Sequence, residues 1–330
     1  MSYRKLRNAA AFAVGLSLGF SAWAGPQTSV RDSAQRGVTW LAKSTAEWQR
    51  TNRCYGCHVQ AVTLEGLSVG KANQYDVPQT EFNALIDGIL HLPGGARSAP
   101  GITHSGYPRT ARTFGSAALA RYDALVDGKL SDDLLKHARL LLQLQQKDGS
   151  VVGDHQSYPV TTGVMQATFQ AAQTWRQAYA RSADDVWLAP LRKAEGYLTQ
   201  TAAAWHGNPQ GVYLQDVNYA LLGLVSAGVG RGEASVTQLV SFIAAQQNSD
   251  GGWGFQKGES NPFATGQSVY ALRQAGLAET DGRVAKGLAW LVKSQQQSGG
   301  WGAAGSGKAE AMWAVMGLVS TDVLTVAVKG

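Results

Sequence analysis

Two cysteines occur in the 330 residues, three positions apart and followed at once by a histidine: Cys54-Tyr55-Gly56-Cys57-His58. Cys-x-x-Cys-His is the spacing of a c-type haem attachment. Two thiols reach the two vinyl groups of one porphyrin and form thioethers, and the histidine that follows comes under the iron as its proximal ligand. Two other chemistries use related patterns. A Cys54–Cys57 disulfide would suit an exported thiol-redox protein, although the βαβ pattern of thioredoxin-like motifs is missing. A zinc site needs more ligands, and the sequence offers no second Cys or Cys/His pair. Haem c is the favoured reading, with the other two left open. Arg53 and Arg50 flank the motif and could pair with haem propionates, or simply form a solvated helix end. Tyr55 could stack on the porphyrin or fill a gap.

Covalent haem attachment takes place outside the cytoplasm, and the first residues point the same way. Met1 to Asn8 carries Arg4, Lys5 and Arg7. Ala9 to Phe20 is a 12-residue, mostly apolar, uncharged run, and Ser21-Ala22-Trp23-Ala24 supplies small residues at a cleavage spacing. This reads as a secretory signal peptide over residues 1–24, since 12 residues are too few to span a bilayer. Residues 25–330 would then form the mature domain and reside in the periplasm. The chain has 29 Lys+Arg against 23 Asp+Glu. Without the three leader cations the net charge falls from +6 to +3. With no basic block, nucleic acid is not an expected partner. At 44% apolar and 16% charged residues, disorder is excluded as the main state. No other apolar stretch approaches the 18 residues of a membrane span.

The elements that must hold the motif announce themselves by repetition. Arg36-Gly37-Val38-Thr39-Trp40-Leu41-Ala42-Lys43-Ser44 reappears as Lys286-Gly287-Leu288-Ala289-Trp290-Leu291-Val292-Lys293-Ser294. Leu90, Leu141-Leu142 followed by Gln146, Tyr197-Leu198 and Phe242-Ile243 followed by Gln247 mark related phrases, about fifty residues apart. A period of that length marks a helical repeat array. Each unit reads as an amphipathic outer helix, a Gly-rich turn and an Ala/Gly-rich inner helix that is apolar nearly all round and so buried. Six pairs with no polar capping repeat suit a closed ring.

Two stretches resemble a known family. Lys286-Gly287-x-x-Trp290-Leu291-x-x-x-Gln295-x-x-x-Gly299-x-Trp301 is similar to the QW motif of squalene-hopene cyclases and prenyltransferase-type proteins. Phe242-Ile243-x-x-x-Gln247-x-x-x-Gly251-x-Trp253 repeats it without the leading basic-Gly pair. The resemblance implies an all-α fold, a single α6/α6 toroid. It also implies that Gln247, Trp253, Gln295 and Trp301 tie helix ends together. The family's chemistry does not follow. Its Asp-x-Asp-Asp acid is here Ser182-Ala183-Asp184-Asp185, which reads better as acids before a helix N-terminus, and the zinc-binding cysteine of prenyltransferases has no counterpart in the second half.

On this phase the haem motif lies in the turn between the first outer helix and its inner partner. The same turn holds His104 in repeat two, His155 in repeat three and His206 in repeat four, all expected at one mouth of the ring. His104 is the first choice for the distal iron ligand and His155 the second. A polar loop histidine is the bland alternative for each. Met312 and Met316, on the inner helix of repeat six, and Met165 could offer sulfur, but core packing is favoured for them. His91 and His137 lie on outer helices and read as surface residues. The functional expectation is a periplasmic monohaem protein in electron transfer or haem-based redox chemistry, meeting a redox partner protein or a small apolar molecule in the central cavity. The rivals are an exported terpenoid- or lipid-binding, cyclase-like protein without haem, and a ring that serves as a protein-interaction platform. Whether the chain is an enzyme is left undecided, because no acid/base or nucleophile constellation stands out.

Overall fold

Small residues allow helices to approach closely, and the chain places them on every second helix. The structure, a computed structural model, describes residues 29–52, 58–90, 107–128, 131–302 and 307–320. The signal-peptide reading, Arg53, Cys54, Tyr55, Cys57, His91 and the distal candidate His104 lie outside the described residues. Twelve α-helices follow one another there: α1 (Val30–Asn52), α2 (His58–Ala72), α3 (Gln79–Leu90), α4 (Pro108–Leu125), α5 (Ser131–Leu142), α6 (Val164–Ser182), α7 (Leu188–Gly207), α8 (Leu214–Ala227), α9 (Ala234–Ala245), α10 (Pro262–Gln274), α11 (Gly282–Ser294) and α12 (Gly307–Val319). Among the described residues no helix is long and apolar enough to cross a membrane.

The even-numbered helices form the inner ring. α2 packs on α4, α4 on α6, α6 on α8, α8 on α10, α10 on α12, and α12 returns to α2. The odd-numbered helices lie outside, each packed on at least one inner helix, and α1 seals the junction by packing on both α2 and α12. The molecule is therefore a closed α/α toroid, as the repeat pattern predicts. Closure needs tight crossings. Gly266 of α10 meets the Trp313 backbone of α12 so closely that a Cβ would stand 2.2 Å from its carbonyl oxygen.

The QW residues are the fasteners between repeats. Gln247 Nε2 donates to the Gly251 carbonyl at 2.8 Å and to the Arg283 carbonyl of α11 at 2.9 Å. Gln295 Nε2 does the same to Gly299 at 2.8 Å and, across the seam, to Ser33 of α1 at 2.9 Å. The indole N–H groups of Trp253 and Trp301 donate to the Ile243 and Leu291 carbonyls. In repeat three it is Gln145, one residue before the Gln146 suggested by the sequence, that bonds to Gly149 and to Pro190 of α7. The leading basic-Gly pair also gains a reason. A Cβ on Gly37 would lie 2.9 Å from the Trp301 ring, and one on Gly287 2.8 Å from Trp253, so the glycine makes room for the preceding repeat's indole.

The axis of the ring is filled. Arg121 of α4 donates across to the Tyr270 hydroxyl of α10 at 2.8 Å, and Gln173 of α6 donates to Glu65 of α2 at 2.8 Å. Tyr219 of α8 meets Trp313 of α12 with ring centroids 6.0 Å apart. These side chains are buried. Space for a ligand is thus found at the mouths, and the expected central cavity gives way to a packed interior.

Candidate functional site at the N-terminal mouth

All six inner helices begin at one mouth, and His58 is the first residue of α2. It follows Cys57 directly in the sequence, and it stands at the ring's rim. The ring of His58 lies 6.3 Å from that of Phe114 on α4. Both line a cavity of about 360 Å³ together with Trp48, Tyr107, Ala111 and His155. Ser157, Val160 and Thr161 complete the wall on the side of repeat three. The lining is mainly apolar, with two imidazoles and a few hydroxyls, a composition common in small-molecule and cofactor pockets.

His155 is held in place by its loop. Asp154 accepts from the Arg109 and Thr110 amides at 2.9 Å each, satisfying free N–H groups in the first turn of α4. Thr110 Oγ1 in turn accepts from the Asp154 and His155 amides at 3.1 Å. The Tyr107 ring stacks on His155 with centroids 3.9 Å apart. Repeat three is thereby pinned to repeat two, and its histidine faces the same space as His58.

The electrostatics favour neutral imidazole. Burial of His58, reinforced by the neighbouring His155, lowers its pKa to about 4. A neutral ring is the form that ligates metals. The backbone hydrogen bonds at Asp154 hold its carboxylate below the ordinary range against the opposing effect of burial.

Other candidates fall elsewhere. His206 lies in the last turn of α7 and lines an outer groove with Trp205 and Phe242, away from the cavity. Met312 and Met316 are buried on α12, against Gly66 in the middle of α2, and Met165 is buried on α6, as core packing requires. Asp184 caps the short 3-10 turn Asp185–Trp187 ahead of α7 by accepting from the Val186 amide. Arg50 is exposed and pairs loosely with Glu47 at 3.9 Å. His137 corrects the surface reading. It is 1% exposed on α5, its Nδ1 lies 3.3 Å from the Ser116 hydroxyl, and burial lowers its pKa to about 4. The face of α5 toward α4 is the ring's wall, and His137 is on that face. The residues that sequence reasoning missed are Trp48, Tyr107, Thr110, Phe114 and Asp154. Only Trp48 carried a signal, as the second tryptophan on α1 after Trp40.

Comparison with known proteins agrees on the scaffold. Residues 189–301 match the squalene-hopene cyclase C-terminal domain. A polysaccharide lyase structure aligns with a TM-score of 0.59 at 13% identity, covering 87% of this chain and 97% of that one. A variant of the type II terpene cyclase MstE from Scytonema, in complex with its substrate geranylgeranyl dihydroxybenzoate, aligns with a TM-score of 0.51 at 15% identity, covering 88% and 97%. No curated protein matches the sequence. A lyase and a cyclase on one architecture illustrate that this fold does not dictate chemistry, and what these comparisons establish for the present chain is a cyclase-like α/α toroid.

Proposed function

We propose that this chain is an exported c-type haem protein built on a cyclase-like toroid, with one haem at the N-terminal mouth and a role in electron transfer or haem-based redox chemistry. The observation that carries this reading is the position of His58. It is the residue after Cys54-x-x-Cys57, it begins α2, and it lines the same cavity as a second histidine, His155. When bound, the group supplies one-electron chemistry at iron.

The residues present suit such a group. Trp48, Ala111, Phe114 and Val160 offer apolar walls for a flat macrocycle. His58, neutral and placed directly after the second cysteine, would hold the iron. His155, fixed by Asp154, Thr110 and the Tyr107 ring, is the distal candidate among the described residues, and His104 lies outside them. Cys54 and Cys57 would form the thioethers, with Arg53 and Tyr55 beside them.

A second reading is favoured by two observations. The apolar cavity and the likeness to a terpene cyclase are compatible with a small apolar molecule at the same mouth, without haem.

The two separate in one experiment. The chain is expressed with its leader in cells that have the cytochrome c maturation machinery, and intact mass and visible spectrum are recorded. The expected result is a mass gain of one haem that survives denaturation and is lost in Cys57→Ala. In His155→Ala the iron should gain an open position that takes up carbon monoxide. A mass equal to the bare processed chain, with or without the two hydrogens lost to a disulfide, overturns the haem reading and leaves the apolar ligand.

A further inference from the structure

The opposite mouth, where the inner helices end, holds a cavity of about 260 Å³ between α4, α6, α8 and α10. Arg121, Arg176 and Arg231 line it with the amides of Gln173, Gln177 and Gln274, and no carboxylate is among its lining residues. We propose that this cavity binds a small organic anion through a carboxylate or phosphate group.

Unmet hydrogen bonds in the floor point to the sign of the ligand. Arg121 and Gln274 are each 8% exposed. Arg121 Nε and Gln274 Nε2 are buried without a partner. Both are donors, and a buried donor left unmet is costly, so the missing partner is an acceptor. Arg121 itself is held in place by the Gln173 side-chain oxygen Oε1 and the Tyr270 hydroxyl, each accepting at 2.8 Å. The interior acid that Arg121 acts on, Glu65, is covered by Gln173, which donates to it at 2.8 Å; burial raises the pKa of its carboxyl, with Arg121 and the Gln173 bond opposing. Asp123, farther along α4, is occupied by Arg181 at 2.5 Å and by Gln177 at 2.8 Å.

Arginines at helix ends have a plainer role, which is to offset the partial negative charge of the C-termini. That role puts guanidinium groups over the last carbonyls in solvent. It does not account for an arginine buried on the axis side with an unmet N–H, nor for the cavity above it. The guanidinium fork matches the two oxygens of a carboxylate or phosphate. Ala124, Val225 and Val229 give the cavity an apolar side for the ligand's carbon body.

The test is calorimetric titration of the full chain with inorganic phosphate and, separately, with citrate, at low ionic strength. The expected result is one saturable site per chain for at least one of them. The tighter probe identifies the anionic group. Arg176→Gln and Arg231→Gln should each weaken binding about tenfold or more, while Arg192→Gln, exposed on the outer helix α7, leaves it unchanged. A readout on the wild-type chain guards against misfolded variants: bound anion should slow phenylglyoxal modification of Arg176 and Arg231, but not of Arg192, in peptide mass spectra. Absence of a saturable site for both probes, or equal weakening by Arg192→Gln, overturns the proposal.

Discussion

At the scale of single residues, the Cys-x-x-Cys-His spacing is visible along the chain, and the haem proposal rests on it. Its surroundings were not legible. Tyr107, Phe114 and Asp154 come from other repeats, and nothing in their local sequence says that they face His58. His137 failed for a related reason. It sits on an outer helix, but on the face that packs against α4, and one polar residue does not report which face it occupies. Its burial has a consequence for acid stability. The folded pKa of about 4 lies below the ordinary 6.5, with burial the main cause, Asp133 opposing it and Arg112 adding to it. The unfolded chain therefore binds a proton that the folded one refuses. Stability is complete above about pH 6.5 and falls as pH drops toward about 4, by an amount on the order of 3 kcal/mol for this group. Urea unfolding at pH 7 and pH 4.5 should show His137→Gln losing less stability on acidification than the wild type. An equal loss in both would show that His137 is not the source.

At the scale of elements, the sequence was most informative where repeats agree. The Lys286-Gly287 and Arg36-Gly37 pairs, and the Gln and Trp of the two full motifs, occupy equivalent places in the structure and make equivalent bonds. The degraded copies hid their register. In repeat three Val151 stands where the others have tryptophan, its amide donating to Thr168 Oγ1 as that of Trp253 does to Thr265 Oγ1. With the indole gone, only the Gln-x-x-x-Gly spacing from Gln145 to Gly149 marked Gln145 over Gln146. The steric role of the glycine gives a direct prediction. Gly37→Ala places a methyl 2.9 Å from the Trp301 ring, and overpacking of this kind costs about 1–3 kcal/mol. Chemical denaturation should show that loss, and Trp301→Phe in the same chain should recover part of it. Full additivity of the two losses would mean that the ring and the glycine do not share the site.

At the scale of the molecule, closure was readable from the lack of polar capping repeats, and the packed axis was not. The inner helices read as small and apolar, yet Glu65, Arg121, Gln173 and Tyr270 bond across the ring. Such contacts join residues 52 to 149 positions apart in the chain, and no local pattern announces them. Closure is testable by deletion. An open repeat array loses an end unit with a modest change in stability, because each repeat contacts only its neighbours. Here α12 packs on α1, α2 and α10. Ending the chain after Leu277, which removes α11 and α12, should abolish the near-ultraviolet signal and expose dye-binding apolar surface across the whole ring. Retention of a cooperative unfolding transition in that fragment would show that the first five repeats stand alone.

The bonds that cross the axis also decide how the two mouths relate. A ring plugged by Arg121, Tyr270, Tyr219 and Trp313 is a pair of vestibules back to back, with a wall between them. A molecule that enters by one door leaves by the same door. Of the side chains in that wall, Arg121 lines one of the two rooms. Arg121 faces the anion cavity and bonds to Gln173, which bonds to Glu65 on the same helix that begins with His58. The contact between the two rooms is therefore this line of hydrogen bonds rather than an open passage.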